Sequence, residues 1–232
     1  MLTELTDVLG ETMGSTKDKI TRDAVAAGTA VYYAGNTAGG TAITAKLTAA
    51  ELLKISRALQ SNNAKMWRTN PIAGTDAVGT KPIPASYFAV VHPYTTYDLR
   101  SILSTSWVGV HEYPDPSMAL PGEVGAYPAA NLRFIESTNA KIKEDSGGAA
   151  STASTKYTTA STAADIYCTI IFGQNAFGIA PLTGGSAELI VKEFGSGDDP
   201  LNQRRTAGFK FATDTVILDD NMMYRYEHLV SA

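Results

Sequence analysis

The stretch Tyr87-Phe88-Ala89-Val90-Val91-His92-Pro93 decides how the middle of this chain folds. A continuous apolar run bounded by prolines reads as a central strand buried on both faces. Pro93 then stands where a helix accepts proline best, at its first position. Leu99, Ile102 and Leu103 are expected to carry the inner face of that helix. A strand feeding directly into a helix gives the middle of the chain an α/β character.

Working towards the N-terminus, Thr48-Ala49-Ala50-Glu51 is a capping box that opens a second helix. Leu52, Ile55 and Leu59 form its buried stripe, and Lys54, Arg57 and Ser61 face water. It ends near Asn62-Asn63. Ala30 to Tyr33 is a short strand candidate. The chain opens in a helical pattern: Leu2, Leu5, Leu9, Met13 and Ile20 recur at steps of mostly three and four residues, with Glu4, Asp7, Glu11, Lys17 and Asp23 between them. This predicts a helix over 2–27, about 40 Å long. Gly10 and Gly14 inside it each cost up to about 1 kcal/mol against alanine, so they mark a bend or a close contact. A helix that starts at residue 2 with no cap predicts a segment upstream.

Towards the C-terminus, Leu132 to Ile135 reads as a strand. Asp145 to Ala164 is a low-complexity insert of Ser, Thr, Ala and Gly, which reads as an exposed mobile loop. Ile166 to Phe172 is a strong strand, and Asn175 to Ile179 suggests a short helical turn. Leu189 to Val191 is a strand, and Gly195 to Pro200 a turn. Phe209, Phe211, Thr213 and Thr215 then alternate with Lys210 and Asp214. After a second turn at Asp219-Asp220-Asn221, Tyr224 to Glu227 alternates again. The pattern predicts one long antiparallel hairpin. The fold class is α+β: a long helix, a mixed α/β middle and long antiparallel strands.

Composition narrows the function. The 232 residues are 44% hydrophobic, enough for a sizeable core, but only 18% charged. A charge-poor chain of this kind hides surface against partners. The net charge of -4, with no run of Lys and Arg, lacks a basic nucleic-acid footprint. A lone cysteine, Cys168, allows no internal disulfide and no Cys-x-x-Cys metal pattern. The first residues lack the layout of a signal peptide, and no run is long enough for a membrane span. These features predict a soluble protein made in a reducing cytoplasm.

Residues that could carry chemistry are few. His92, between strand and helix, reads as a helix cap and not as a catalytic base. Mid-strand Cys168 reads as a small buried hydrophobe. Gly35-Asn36-Thr37-Ala38-Gly39-Gly40 lacks the ending of a phosphate loop. Asp198-Asp199 and Asp219-Asp220 lack the alternating ligands of a calcium loop. No Gly-x-Ser-x-Gly or His-Glu-x-x-His motif occurs. The reading is of a protein without catalytic, cofactor or metal residues.

Several stretches in shared order resemble one family. Asp18-Lys19-Ile20-Thr21-Arg22-Asp23-Ala24-Val25-Ala26-Ala27-Gly28-Thr29 is similar to the end of its spine helix, and Leu47 to Leu52 to the start of its next helix. Tyr87 to Arg100, Gly122-Glu123-Val124-Gly125 and Phe134 to Ala140 follow. The most specific piece is Asp199-Pro200-Leu201-Asn202-Gln203-Arg204-Arg205-Thr206-Ala207-Gly208-Phe209-Lys210. Together they resemble the major capsid proteins of tailed phages, of the phage N-four type, with the Hong Kong 97 capsid fold.

The resemblance implies a structural subunit that self-assembles as pentamers and hexamers into an icosahedral virion shell around double-stranded DNA, beside other virion proteins. It implies a peripheral domain over 1–40 with the spine helix, an axial domain over 41–187, and return strands of the peripheral domain over 188–232. The family carries an N-terminal arm and an extended loop ahead of the spine helix, and this chain is expected to lack them. Asp199, Gln203, Arg204 and Arg205 are candidates for intersubunit contact, with Arg204 or Arg205 paired to an acidic neighbour; intrachain pairing or solvation is the competing reading. The alternative function is a phage or prophage surface protein that binds host glycans through the Ser/Thr-rich insert.

Overall fold

The computed structural model describes residues 2–67, 84–113, 119–149, 163–181, 187–192, 194–195, 201, 203 and 205–231. The chain divides into two compact units: Met1–Val25 with Phe177–Val216, and Ala26–Ala176 with Ile217–Ala232.

The larger unit is built on an eight-stranded sheet. Its strands are β1 (Val31–Tyr33), β2 (Tyr87–Val91), β3 (Val108–Gly109), β4 (Glu123–Tyr127), β5 (Leu132–Glu136), β6 (Ile142–Lys143), β7 (Ile166–Phe172) and, from the far end of the chain, β12 (Met223–His228). They lie in the order β1-β12-β7-β2-β5-β4-β3, with β6 also paired to β7. β2 is therefore central, parallel to β5 and antiparallel to β7. Only Tyr87, Ala89 and Val91 of β2 are fully buried; Phe88 and Val90 are half-buried, so the expected burial on both faces holds for one face.

Two helices supply the other half of the core. Helix α2 (Ala49–Ser61) buries Leu52, Ile55 and Leu59 on one stripe, and Lys54, Arg57 and Ser61 face solvent, as the periodicity requires. Helix α3 (Pro93–Leu103) has Pro93 at its first position and buries Leu99 and Leu103. Ile102 is exposed; Thr95, Thr96 and Asp98 take the remaining inward positions, which a purely apolar stripe could not reveal. These leucines and Ile55 join Tyr87, Ala89, Val91, Leu132, Phe134, Ile171 and Tyr226 in one core.

The smaller unit holds almost all of the opening helix α1 (Leu2–Ala26) and four strands: β8 (Phe177–Pro181), β9 (Glu188–Lys192), β10 (Thr206–Lys210) and β11 (Thr213–Ile217). β10 pairs antiparallel with β9, and β11 pairs with β8. Two expectations are corrected here. Asn175 to Ile179 is no helical turn: Asn175 adopts a left-handed φ of 63° and releases the chain into β8. The long hairpin over 206–227 does not exist, because β12 pairs with β7 and β1. Alternation identifies a strand and not its partner. β12 is largely buried, whereas β10 and β11 alternate between exposed and half-buried positions.

Gly10 and Gly14 lie in an unbroken helix, and a Cβ built on either meets no atom within 4 Å. Close packing within the chain therefore does not account for them. In the low-complexity insert, residues 150–162 lie outside the described ones. Its two ends are tied by a bridge between Ala149 and Ala163 and by Gly147 N–H donating to the Ala164 carbonyl at 2.8 Å.

Candidate assembly surface

His92, Cys168, Asp219 and Asp220 have structural partners inside the larger unit, and Asp198 and Asp199 lie outside the described residues. His92 caps α3, its Nδ1 accepting from the Tyr94 amide at 3.3 Å. Burial lowers its pKa, against the pull of Glu136. Cys168 is buried, and burial, with Glu227 next, pushes its thiol up to about 12, which leaves no reactive thiolate. Asp219 caps a short turn, and Asp220 accepts from both the amide and the hydroxyl of Thr29. Among the described residues no three His, Cys, Asp or Glu side chains converge to hold a metal.

Three buried polar clusters lock the strands. Arg133 on β5 donates to Glu123 on β4 through Nε at 2.7 Å and Nη2 at 2.5 Å, and the Tyr113 hydroxyl donates to the same carboxylate at 2.6 Å. Glu227 on β12 accepts from Lys143 at 2.5 Å and from Arg225 Nε at 2.7 Å. Glu51 fulfils the capping box only in part. The Thr48 hydroxyl accepts from the Glu51 amide, but the Glu51 carboxylate takes the Thr48 hydroxyl, the Gly35 amide and the Tyr226 hydroxyl instead of the Thr48 amide. The Thr48 amide donates to the Tyr226 hydroxyl at 3.3 Å. Burial foremost, and then Glu51, push the Tyr226 phenol pKa far up.

The smaller unit is the reverse case. Val25 is its one buried apolar side chain among the described residues. Every position of β9 is exposed, Leu189, Ile190 and Val191 included. The register pairs Ala207 with Val191 and Phe209 with Leu189, so these four share one face of the β9–β10 ribbon. Phe209 stacks on Phe211 with ring centroids 6.0 Å apart. Val8 on α1 is 60% exposed and Leu201 72%. A two-stranded ribbon is marginal in water unless its apolar face is covered. This surface has the composition of one covered in an assembly.

Of the candidate contact residues, Asp199 and Arg204 lie outside the described ones. Gln203 and Arg205 are exposed, and the Arg205 guanidinium sits 4.9 Å over the ring of Phe194, itself 53% exposed. The exposed face of β9 was not legible in the sequence. A Leu-Ile-Val run carries the same signal whether its cover comes from the same chain or another.

No protein-family model matches the chain, and no curated protein matches it by sequence. Solved structures do. The chain is similar to the capsid of Ralstonia phage GP4, at 13% identity and a TM-score of 0.65, over 98% of this chain and 67% of that one. It is similar to the head structure of Helicobacter pylori bacteriophage KHP40, at 13% identity and a TM-score of 0.58, over 99% and 68%. It is also similar to the capsid of cyanophage P-SCSP1u, at 12% identity and a TM-score of 0.56, over 100% and 66%. The chain thus spans about two thirds of the length of these capsid chains. At such identities the likeness is one of fold: the chain has the α+β fold of tailed-phage capsids, the Hong Kong 97 type. The likeness extends to several phages and does not single out the phage N-four type. It lends no support to glycan binding.

Proposed function

We propose that this chain is a structural subunit of a tailed-phage shell, which assembles with copies of itself into pentamers and hexamers around double-stranded DNA. The observation that carries this reading is the likeness to phage capsids over nearly the whole chain, at TM-scores up to 0.65 among those described. The smaller unit supports it independently, because among its described residues Val25 is the one buried apolar side chain. The role is structural and not catalytic, the site of action is the virion, and synthesis is in the host cytoplasm.

In this reading α1 is the spine helix. With β8 to β11 it forms the peripheral domain, and the eight-stranded unit is the axial domain. These bounds differ from the ranges 1–40, 41–187 and 188–232 that the resemblance implies, because β8 goes with α1, and β1 and β12 go with the sheet. Contacts around each ring are heterologous, one edge of a subunit against the opposite edge of the next, and the rotation closes the ring. Other virion proteins join the closed shell. Asp199, Gln203, Arg204 and Arg205 bridge to a neighbouring subunit, with an arginine on an acidic side chain. Charge reversal at both arginines in the product of the full gene tests this assignment. Loss of shells with an intact fold supports it, and normal shells end it.

A further inference from the structure

We infer that the solvent side of helices α2 and α3 is a polyanion-binding face, fitted to the phosphate backbone of double-stranded nucleic acid. The two helices carry five charged residues: Glu51, Lys54 and Arg57 on α2, and Asp98 and Arg100 on α3. Their distribution is one-sided. Both acids point inward and are buried. Glu51 is consumed by the Gly35 amide and the hydroxyls of Tyr226 and Thr48, and Asp98 accepts from the Ser231 amide at 2.7 Å. All three cations are exposed, and none has an ion-pair partner among the described residues. The helices therefore show water only positive charge, in a chain whose net charge is -4.

Helix α1 is the internal contrast. Its exposed charges are mixed, with Glu4, Asp7, Glu11, Asp18 and Asp23 beside Lys17 and Lys19. The segregation on α2 and α3 is thus a local feature and not a general one. Lys54 and Arg57 stand one turn apart, which places their heads as neighbours along one side of the helix. Tyr94 and Tyr97 of α3 are exposed too, Tyr97 at 68%, and bring hydroxyls that hydrogen-bond phosphate oxygens. Cations with hydroxyl donors and no exposed acid suit phosphates. Three cations give weak, sequence-independent binding, which suits a container wall that must hold DNA without trapping it.

The inference rests on the shell reading only for which nucleic acid the face meets. Fluorescence anisotropy of a labelled random-sequence duplex, titrated with the purified chain across a salt series, tests it. Up to three phosphate contacts give a log–log salt slope of about -2 to -3. The triple variant Lys54→Glu, Arg57→Glu, Arg100→Glu is expected to weaken binding by about tenfold or more. The control Lys17→Glu, Lys19→Glu, on α1, is expected to stay within about twofold. Circular dichroism checks that both variants are folded. Absence of duplex binding at low salt, equal loss in the control, or tighter binding to poly-glutamate than to duplex overturns the inference. Duplex binding lost in the triple variant, by a protein that never forms shells, upholds it while the shell reading falls.

Discussion

Arg133 and Glu123 face each other across strands β5 and β4 as a bidentate pair, with two hydrogen bonds of 2.7 and 2.5 Å and both side chains almost wholly out of solvent. The guanidinium also lies 5.5 Å over the ring of Phe88 on β2. One ion pair therefore ties together three strands of the sheet. β4 has a register shift between Glu123 and Gly125, and the pair fixes the strand at that shift.

Removing one partner leaves the other charged and buried. Arg133→Met is expected to destabilise the chain by about 3–5 kcal/mol. The double variant Arg133→Met, Glu123→Leu is expected to recover most of that loss, because no charge stays orphaned. Urea midpoints of the three proteins check the prediction.

His228 is fully buried in β12. Its Nδ1 faces the Leu229 carbonyl at 3.0 Å and its Nε2 the Thr169 hydroxyl at 3.0 Å. A carbonyl can only accept, so Nδ1 carries the proton and the neutral ring is satisfied. Burial pushes its pKa down to about 4, against the pull of the Leu229 carbonyl, Asp98 and Glu51. The folded protein therefore binds fewer protons than the unfolded one between the two pKa values. The stability from the neutral ring is complete above about pH 6.5 and is lost as pH falls through about 4, to a total of about 3 kcal/mol. His228→Gln is expected to flatten this part of the pH dependence, measured by urea titrations across the acid range. An unchanged slope assigns it to other groups.

The Tyr226 hydroxyl donates to Glu51 at 2.6 Å and accepts from the Thr48 amide at 3.3 Å. Tyr226→Phe removes both bonds at once and is expected to lower stability by about 1–3 kcal/mol. Thr48→Ala removes the cap of α2 and is expected to lower it by about 1 kcal/mol. The two share the Glu51 carboxylate, so the double variant is expected to be non-additive. Thermal melts of the single and double variants measure the coupling.

Leu189 and Val191 stand exposed on the apolar face of the β9–β10 ribbon. Leu189→Asp with Val191→Asn is expected to change the stability of this chain by no more than about 0.5 kcal/mol, as for ordinary surface sites. In the product of the full gene the same pair is expected to abolish particle formation. Urea denaturation of the first and sedimentation of the second check both halves.

The sequence made the regular elements legible where one signal governed them. The apolar run at Ile166 to Phe172 became β7 with the same ends, and Thr48 began α2 through its hydroxyl. The pairing of strands was hidden, because Tyr224 to Glu227 alternates in the same way whether it meets β11 or β7. Glu227 read as a polar position on a strand, yet it is wholly buried between Lys143 and Arg225. That arrangement depends on residues 84 positions apart, which no local pattern encodes. The same limit applies to the ribbon: its apolar residues were visible, and their exposure was not. Of the four candidate contact residues, Gln203 and Arg205 are exposed, a position that intersubunit contact and plain solvation share, and Asp199 and Arg204 lie outside the described residues.

The most direct test of the central claim is negative-stain electron microscopy of the protein produced from its full gene, purified and concentrated without other virion proteins. The account predicts closed shells, or rings of five and six subunits. A field of dispersed single subunits at every concentration examined, from protein that is folded by circular dichroism, contradicts it.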